Sequence, residues 1–208
     1  MKVLLINGSP NAQGCTYTAL CEVAKELGNE NIETEIFHVG NKPIRGCTAC
    51  GVCSKTNSGK CVFNDDTVNI ALEKGKEADA FVFGSPVHFA GASGFITSFL
   101  ERFFFAGNCY QYKPGAAIVS CRRGGATAAF EQLNKYFTIS NMPVVSSQYW
   151  SMVHGNTPEE VKQDLEGMQT MRTLGKNMAW ILKSIQAGRE SGITLPEKEP
   201  RAITNFIR

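Results

Sequence analysis

From its first residues the chain alternates short aliphatic or β-branched runs with segments of helical periodicity. "KVLLING" reads as a buried strand, and in "TYTALCEVAKELG" Leu20, Val23, Ala24 and Leu27 share one helical face. "IETEIFHV" reads as a second strand and "DAFVFGSP" as a third. Between them "DDTVNIALEKGKEA" predicts a helix, with Asp65 or Asp66 as cap and Val68, Ala71 and Leu72 inward. Ser93 to Ala106 predicts another, with Ile96, Phe99, Leu100 and Phe103 inward and Gly107 at its end. "GAAIVSC" and "MPVVSSQ" are the fourth and fifth strands and bracket a helix from about Ala126 to Phe137. The chain has no internal repeat and no low-complexity tract.

Strands that alternate with helices at this spacing imply a parallel sheet covered on both faces. Five strands fit the flavodoxin-like doubly wound order 2-1-3-4-5, which places ligands at the carboxyl ends of the first, third and fourth strands. Residues 1–150 are expected to form this domain, with a cysteine-rich loop at 41–64, and 151–208 a helical extension and tail of the same domain. "NTPEEVKQ" predicts a helix start, with Thr157 as cap, Pro158 in the first turn and Glu160 closing a capping box. The series Val161, Leu165, Met168, Leu174, Met178, Ile181/Leu182 and Ile185 continues that helix for about eight turns. Gly167 and Gly175 are costly inside it unless a neighbour packs closely there. A helix of that length suits a subunit interface as well as its own domain, so a homodimer or homotetramer is expected. The end, "GITLPEKEPRAITNFIR", is expected to be extended and to wrap a neighbour.

With 21 basic and 19 acidic residues, the chain carries no electrostatic footprint for nucleic acid or an anionic membrane. "MKVLLINGSP" is too short in apolar residues for a signal-peptide core, and no stretch is long enough to span a bilayer. The expected compartment is the cytoplasm, where thiols stay reduced or bind metal.

The three loops on the expected ligand edge carry the most unusual residues. "NGSPNAQGCTYT" joins a strand to a helix start, where backbone N–H groups and the helix dipole favour an anion; Ser9, Thr16 and Thr18 add hydroxyls. It is neither a Walker loop nor the dinucleotide G-x-G-x-x-G. "GSPVHFAGASG" presents Pro86, Val87, His88 and Phe89 as flat or apolar surface. "SCRRGGAT" offers Ser120, Gly124 and Gly125. An anion cradle, an apolar shelf and a glycine-lined polar edge together suit FMN.

Gly8-Ser9-Pro10 followed by Gly14-Cys15-Thr16, and Gly84-Ser85-Pro86 with His88-Phe89, resemble the flavodoxin-like NADPH-dependent FMN reductase family. With the compact cysteine run added, the chain is most similar to the iron–sulfur flavoproteins, over roughly residues 1–150. The resemblance implies FMN with its phosphate against Ser9, Asn11, Cys15, Thr16 and Thr18. It implies the ring against Pro86, Val87, His88 and Phe89, and the ring edge against Ser120, Gly124 and Gly125. Asn11 stands where such proteins often carry a basic residue; Arg122 and Arg123 are candidates to balance the phosphate, or to meet a nicotinamide phosphate, or are solvated surface charges.

No catalytic side chain is expected, because flavin N5 itself takes a hydride and the ring passes electrons singly or in pairs. The expected function is an FMN-dependent oxidoreductase reduced by NAD(P)H or a small electron carrier, with a [4Fe–4S] cluster or a quinone-like molecule as acceptor. A flavin and iron–sulfur carrier or redox sensor without turnover, and a zinc-stabilised binding module, are the alternatives.

Cys47, Cys50, Cys53 and Cys61 follow C-x2-C-x2-C-x7-C in a connection expected to hold no regular element. Three thiols at i, i+3 and i+6 with a remote fourth resemble ferredoxin-like cluster sites, although Val62 replaces the proline common after the fourth. Reduced thiols, an adventitious disulfide and zinc stay open as alternatives. Cys21, Cys109 and Cys121 read as buried small residues, and of the three histidines only His88 is placed at a site.

Overall fold

The computed structural model describes residues 1–200, 202–204 and 206. Its sheet is built from β1 (Lys2–Asn7), β2 (Glu33–His38), β3 (Ala80–His88), β5 (Gly115–Cys121) and β6 (Met152–His154), with the short β4 (Gly91–Ala92) between β3 and β5 in sequence. The strands lie in the order β2-β1-β3-β5-β6, all neighbours parallel. β4 lies off this path and pairs antiparallel with the end of β3. The doubly wound order is as expected; the sheet has six strands, because a two-residue ribbon is added to the five.

Period-two alternation divides the core. Leu4 and Ile6, Phe81 and Phe83, and Ala117 and Val119 face one side, against α3 (Val68–Glu77), α4 (Gly94–Ala106) and α5 (Ala126–Ile139). Val3 and Leu5, Ala80 and Val82, and Ala116 and Ile118 face the other, against α1 (Cys15–Asn29), α6 (Pro158–Gln163) and α7 (Leu165–Glu190). Near-continuous apolar strands follow from burial on both faces. The first side is aromatic: Phe83 stacks on Phe137 at 4.9 Å between centroids, and Phe103 on Tyr110 at 4.8 Å.

Three expected elements differ. The fifth strand is Met152–His154; "MPVVSSQ" makes only a bridge from Val144 to Gly115 before the chain detours outward. The single long helix is two. Asp164 (φ −73°, ψ 80°) breaks it, and its carboxylate accepts the Gly167 N–H at 2.9 Å to start α7. The break turns Leu165 outward, 77% exposed instead of packed. Thr157 caps α6 as expected, but Glu160 reaches back to the Asn156 N–H, at 2.6 Å, and not to the cap residue. The cysteine loop is not free of structure, since α2 (Val52–Thr56) forms within it.

α7 lies along α1. A Cβ on Gly175 would stand 2.8 Å from Glu26 Cβ and 3.0 Å from the Val23 carbonyl oxygen, so the close approach accounts for this glycine. Arg172 Nη1 pairs with Glu22 at 2.8 Å beside it. The described residues beyond Gly192 form no helix or strand; positions 201, 205, 207 and 208 of the expected wrapping tail lie outside the described residues. Among the described residues no helix is long and apolar enough to cross a membrane.

Candidate functional site

The loop from β1 to α1 is organised by Asn7, fully buried at the strand end. Its Oδ1 accepts the Ser9 N–H at 3.1 Å, and its Nδ2 donates to the Ala12 carbonyl at 3.1 Å. Ser9 Oγ then accepts the Asn11 N–H at 3.1 Å. Gly14 stands at the N-cap of α1 and no side chain caps that helix. First-turn N–H groups have no partner within their own helix, so this uncapped start keeps donors for an anion. Thr18 Oγ1 donates to the Gly14 carbonyl at 3.2 Å, while the hydroxyls of Thr16 and Ser120 meet at 2.8 Å. Cys15 Sγ lies 3.8 Å from the Gly155 carbonyl, and burial pushes its thiol pKa up.

The loop after β3 is a tight hairpin. Phe89 (φ 51°) and Ala90 (φ 59°) occupy its two central positions between the paired His88 and Gly91. Two positive φ values are what a two-residue turn of the I′ kind requires. Phe89 is fully exposed at the tip, and Val87 is half-buried on its stem. Ala90 packs on the loop after β5: a Cβ on Gly125 (φ +90°) would stand 2.6 Å from Ala90 Cα, so only glycine fits. Ser93 Oγ donates to the Gly8 carbonyl at 2.7 Å, and Gln132 Oε1 accepts the Ala92 N–H at 2.9 Å. The three loops therefore form one connected edge. Gly124, Arg122 and Arg123 are exposed on it, and neither arginine makes an ion pair among the described residues.

The cysteine loop folds over the carboxyl half of α4. Cys47, Cys50, Cys53 and Cys61 all line one largely apolar cavity of about 280 Å³, together with Phe63, Arg102 and Phe105. Two consecutive helix residues hold its two ends. Glu101 Oε2 accepts the Cys47 N–H at 2.9 Å, and Arg102 Nε donates to Cys61 Sγ at 3.1 Å. Cys47 Sγ also accepts the Ala49 N–H at 3.4 Å, and Cys53 Sγ–H points to the Phe105 carbonyl at 3.6 Å.

Asn69 clamps the backbone of Cys61 on both sides, accepting its N–H at 2.8 Å and donating to its carbonyl at 2.9 Å. Arg102 is 1% exposed, and its guanidinium also binds Asp66 and the Phe63 carbonyl. Burial opposes its charge, but Asp66 and Cys61 outweigh that and hold its pKa above the ordinary arginine value. Among the described residues no three His, Cys, Asp or Glu groups gather tightly enough for a single ion. A cubane is a different case, because its four thiolates bind four separate corners and stand wider apart. Four thiols around one apolar cavity, with N–H donors on two sulfurs, are the ligand types that such a cluster takes.

The sequence model of the NADPH-dependent FMN reductase family matches residues 1–157. The chain belongs to this family. An iron–sulfur flavoprotein of Methanocaldococcus jannaschii is 34% identical over 195 residues, covering 89% of this chain and 100% of the relative. One from Archaeoglobus fulgidus is 31% identical over 208 residues, covering 92% and 100%. Among solved structures, RosB with bound 8-demethyl-8-formylriboflavin-5'-phosphate superposes with a TM-score of 0.70 at 16% identity, covering 100% of this chain and 94% of that one. A flavodoxin from the domain Archaea gives 0.58 at 15% identity, with coverage of 88% and 99%. At such identities the likeness speaks for the fold, and the fold is flavodoxin-like.

Membership in the FMN reductase family makes this chain an FMN-binding flavoprotein with an oxidoreductase role. Several residues of this candidate site escape a reading of the sequence. His38, at the end of β2, holds the Ser9 carbonyl through Nε2 at 2.8 Å. His154 Nδ1 lies 3.7 Å from Cys121 Sγ, so two histidines besides His88 border the edge. Asn69, Glu101 and Arg102 carry no motif; each reads as a polar helix residue. Cys121 is buried, whereas Cys21 is half-buried and Cys109 exposed, contrary to expectation.

Proposed function

We propose that the chain is an FMN-dependent oxidoreductase, reduced by NAD(P)H or a small electron carrier, that delivers electrons to a [4Fe–4S] cluster or to a small acceptor such as a quinone. The observation that carries this reading is the role of α4. Its capping residue Ser93 is bonded to the β1 loop through Gly8, while Glu101 and Arg102 near its other end hold Cys47 and Cys61. About 14 Å of helix rise separates Ser93 from Arg102, so one rigid element would fix the spacing of two redox groups.

In this reading Ser9, Asn11, Cys15, Thr16 and Thr18 bind the phosphate, and the α1 start supplies N–H donors. Pro86, Val87, His88 and Phe89 orient the ring, with Ser120, Gly124 and Gly125 at its polar edge. Cys47, Cys50, Cys53 and Cys61 hold the cluster. FMN, when bound, supplies hydride and single-electron chemistry, so no side chain is assigned as general acid or base. This reading takes the cytoplasm as the compartment, where four reduced thiols persist or carry metal. Exposed Phe105, Ile139 and Trp180 favour a homodimer or homotetramer.

The test is anaerobic mixing of the flavin-loaded protein with NADPH or NADH, followed by absorbance. Bleaching of the flavin within seconds supports the oxidoreductase. A flavin that neither nucleotide reduces, but that dithionite does, would make the protein an electron carrier or sensor without NAD(P)H turnover.

A further inference from the structure

Arginine is almost never fully buried without partners, and Arg102 is the largest side chain that is. Each of its three nitrogens donates: Nε to Cys61 Sγ at 3.1 Å, Nη1 to Asp66 and to the Arg45 carbonyl at 3.2 Å, and Nη2 to the Phe63 carbonyl at 2.8 Å. The backbone of Cys61 does not need this arginine, because Asn69 already binds both its N–H and its carbonyl. What Arg102 adds is a charged donor aimed at one sulfur. Cys47 receives only a neutral backbone donor at the longer distance of 3.4 Å.

We propose that Arg102 is a positioning residue that tunes the redox group of the cysteine loop. Its Nε–H bond to Cys61 raises the reduction potential, and Asp66 holds the guanidinium in place while opposing that effect. The inference rests on the cluster reading above. One electron added to a [4Fe–4S] group carries no proton with it, so the added negative charge spreads partly onto the four thiolates. A charged donor at a thiolate stabilises that more negative state, and hydrogen bonds to sulfur and net charge are what set such potentials. A carboxylate beside the same guanidinium acts in the opposite sense.

Arg102→Gln, Arg102→Lys and Asp66→Asn would be purified anaerobically with the wild type. Each is titrated with dithionite, the cluster followed by EPR, and iron and sulfide are counted. Arg102→Gln is expected to shift the midpoint negative by about 59 mV, a tenfold change in a one-electron equilibrium. Arg102→Lys is expected to shift it less in the same direction, and Asp66→Asn to shift it positive. Shifts of opposite sign are what a purely structural role of the pair would not produce. Should Arg102→Gln give no soluble chain, Arg102→Lys and Asp66→Asn carry the same test by their opposite signs. Unchanged potentials, or shifts of one sign in both, with iron retained would overturn the proposal alone. A wild type that carries no iron or sulfide would overturn the cluster reading and the proposal with it.

Discussion

The hydroxyls of Thr16 and Ser120 stand 2.8 Å apart and buried, joining the first turn of α1 to the last turn-out of β5. They belong to residues 104 positions apart in sequence. The bond fastens the loop after β1 to the loop after β5 and fixes the distance between them.

Thr16→Val is therefore expected to weaken FMN binding while the fold survives. Loss of a buried hydrogen bond that leaves Ser120 unpaired costs about 1–3 kcal/mol. Titration of flavin-free protein by quenching of FMN fluorescence should show a dissociation constant raised by about 5- to 150-fold, if that cost falls on the bound state. An unchanged constant would place the phosphate and ring elsewhere.

Phe89 is a second point of leverage. A bulky residue at φ 51° on an exposed tip is strained by about 1–3 kcal/mol and buries nothing in the flavin-free chain. Phe89→Gly is expected to raise the melting temperature of the flavin-free protein, because glycine adopts this conformation freely. The same change should weaken FMN binding. Stabilisation without any loss of flavin affinity would separate Phe89 from the ring.

The contact of α7 with α1 sets a third expectation. Gly175→Leu would drive a side chain into Val23 and Glu26, and overpacking of this kind costs about 1–3 kcal/mol. Urea unfolding should show a lower midpoint with little change in slope.

Acid sensitivity is expected near the amino end of the sheet. A hydrogen bond from Lys74, followed by one from Lys2, holds the Glu35 carboxyl below its ordinary value of 4.5, against the opposing effect of burial. A depressed carboxyl stabilises the fold above its unfolded pKa, and that contribution is lost as pH falls through the folded value. Wild-type stability should thus decline below about pH 4.5, and Glu35→Gln should show a shallower decline over that window. Equal slopes would remove Glu35 from the acid response.

How much of this was legible in the sequence follows from what each residue faces. The doubly wound sheet could be read because β1, β3 and β5 are buried on both faces and leave continuous apolar runs. The break at Asp164 could not, since an aspartate fits a helix surface as well as a cap and only the Gly167 N–H distinguishes them. β6 is three residues long, below what periodicity resolves, so the richer β-branched run at Val144–Val145 drew the strand instead. The hairpin tip lacks the Asn-Gly signature of its turn type, and its positive φ values belong to Phe and Ala. Arg102 and Asn69 look like surface residues of two helices; the cysteine loop, folded back across α4, buries Arg102 and half-buries Asn69. The cysteine spacing itself was readable, while the partners of its sulfurs were not.

The account stands most directly on the cofactor content of one preparation. Protein purified without oxygen, with flavin, iron and acid-labile sulfide counted per chain, should hold about one FMN with about four iron and four sulfide. A colourless chain that neither contains FMN nor takes it up would contradict the account at its centre. One flavin with no iron would remove the cluster and leave the flavoprotein.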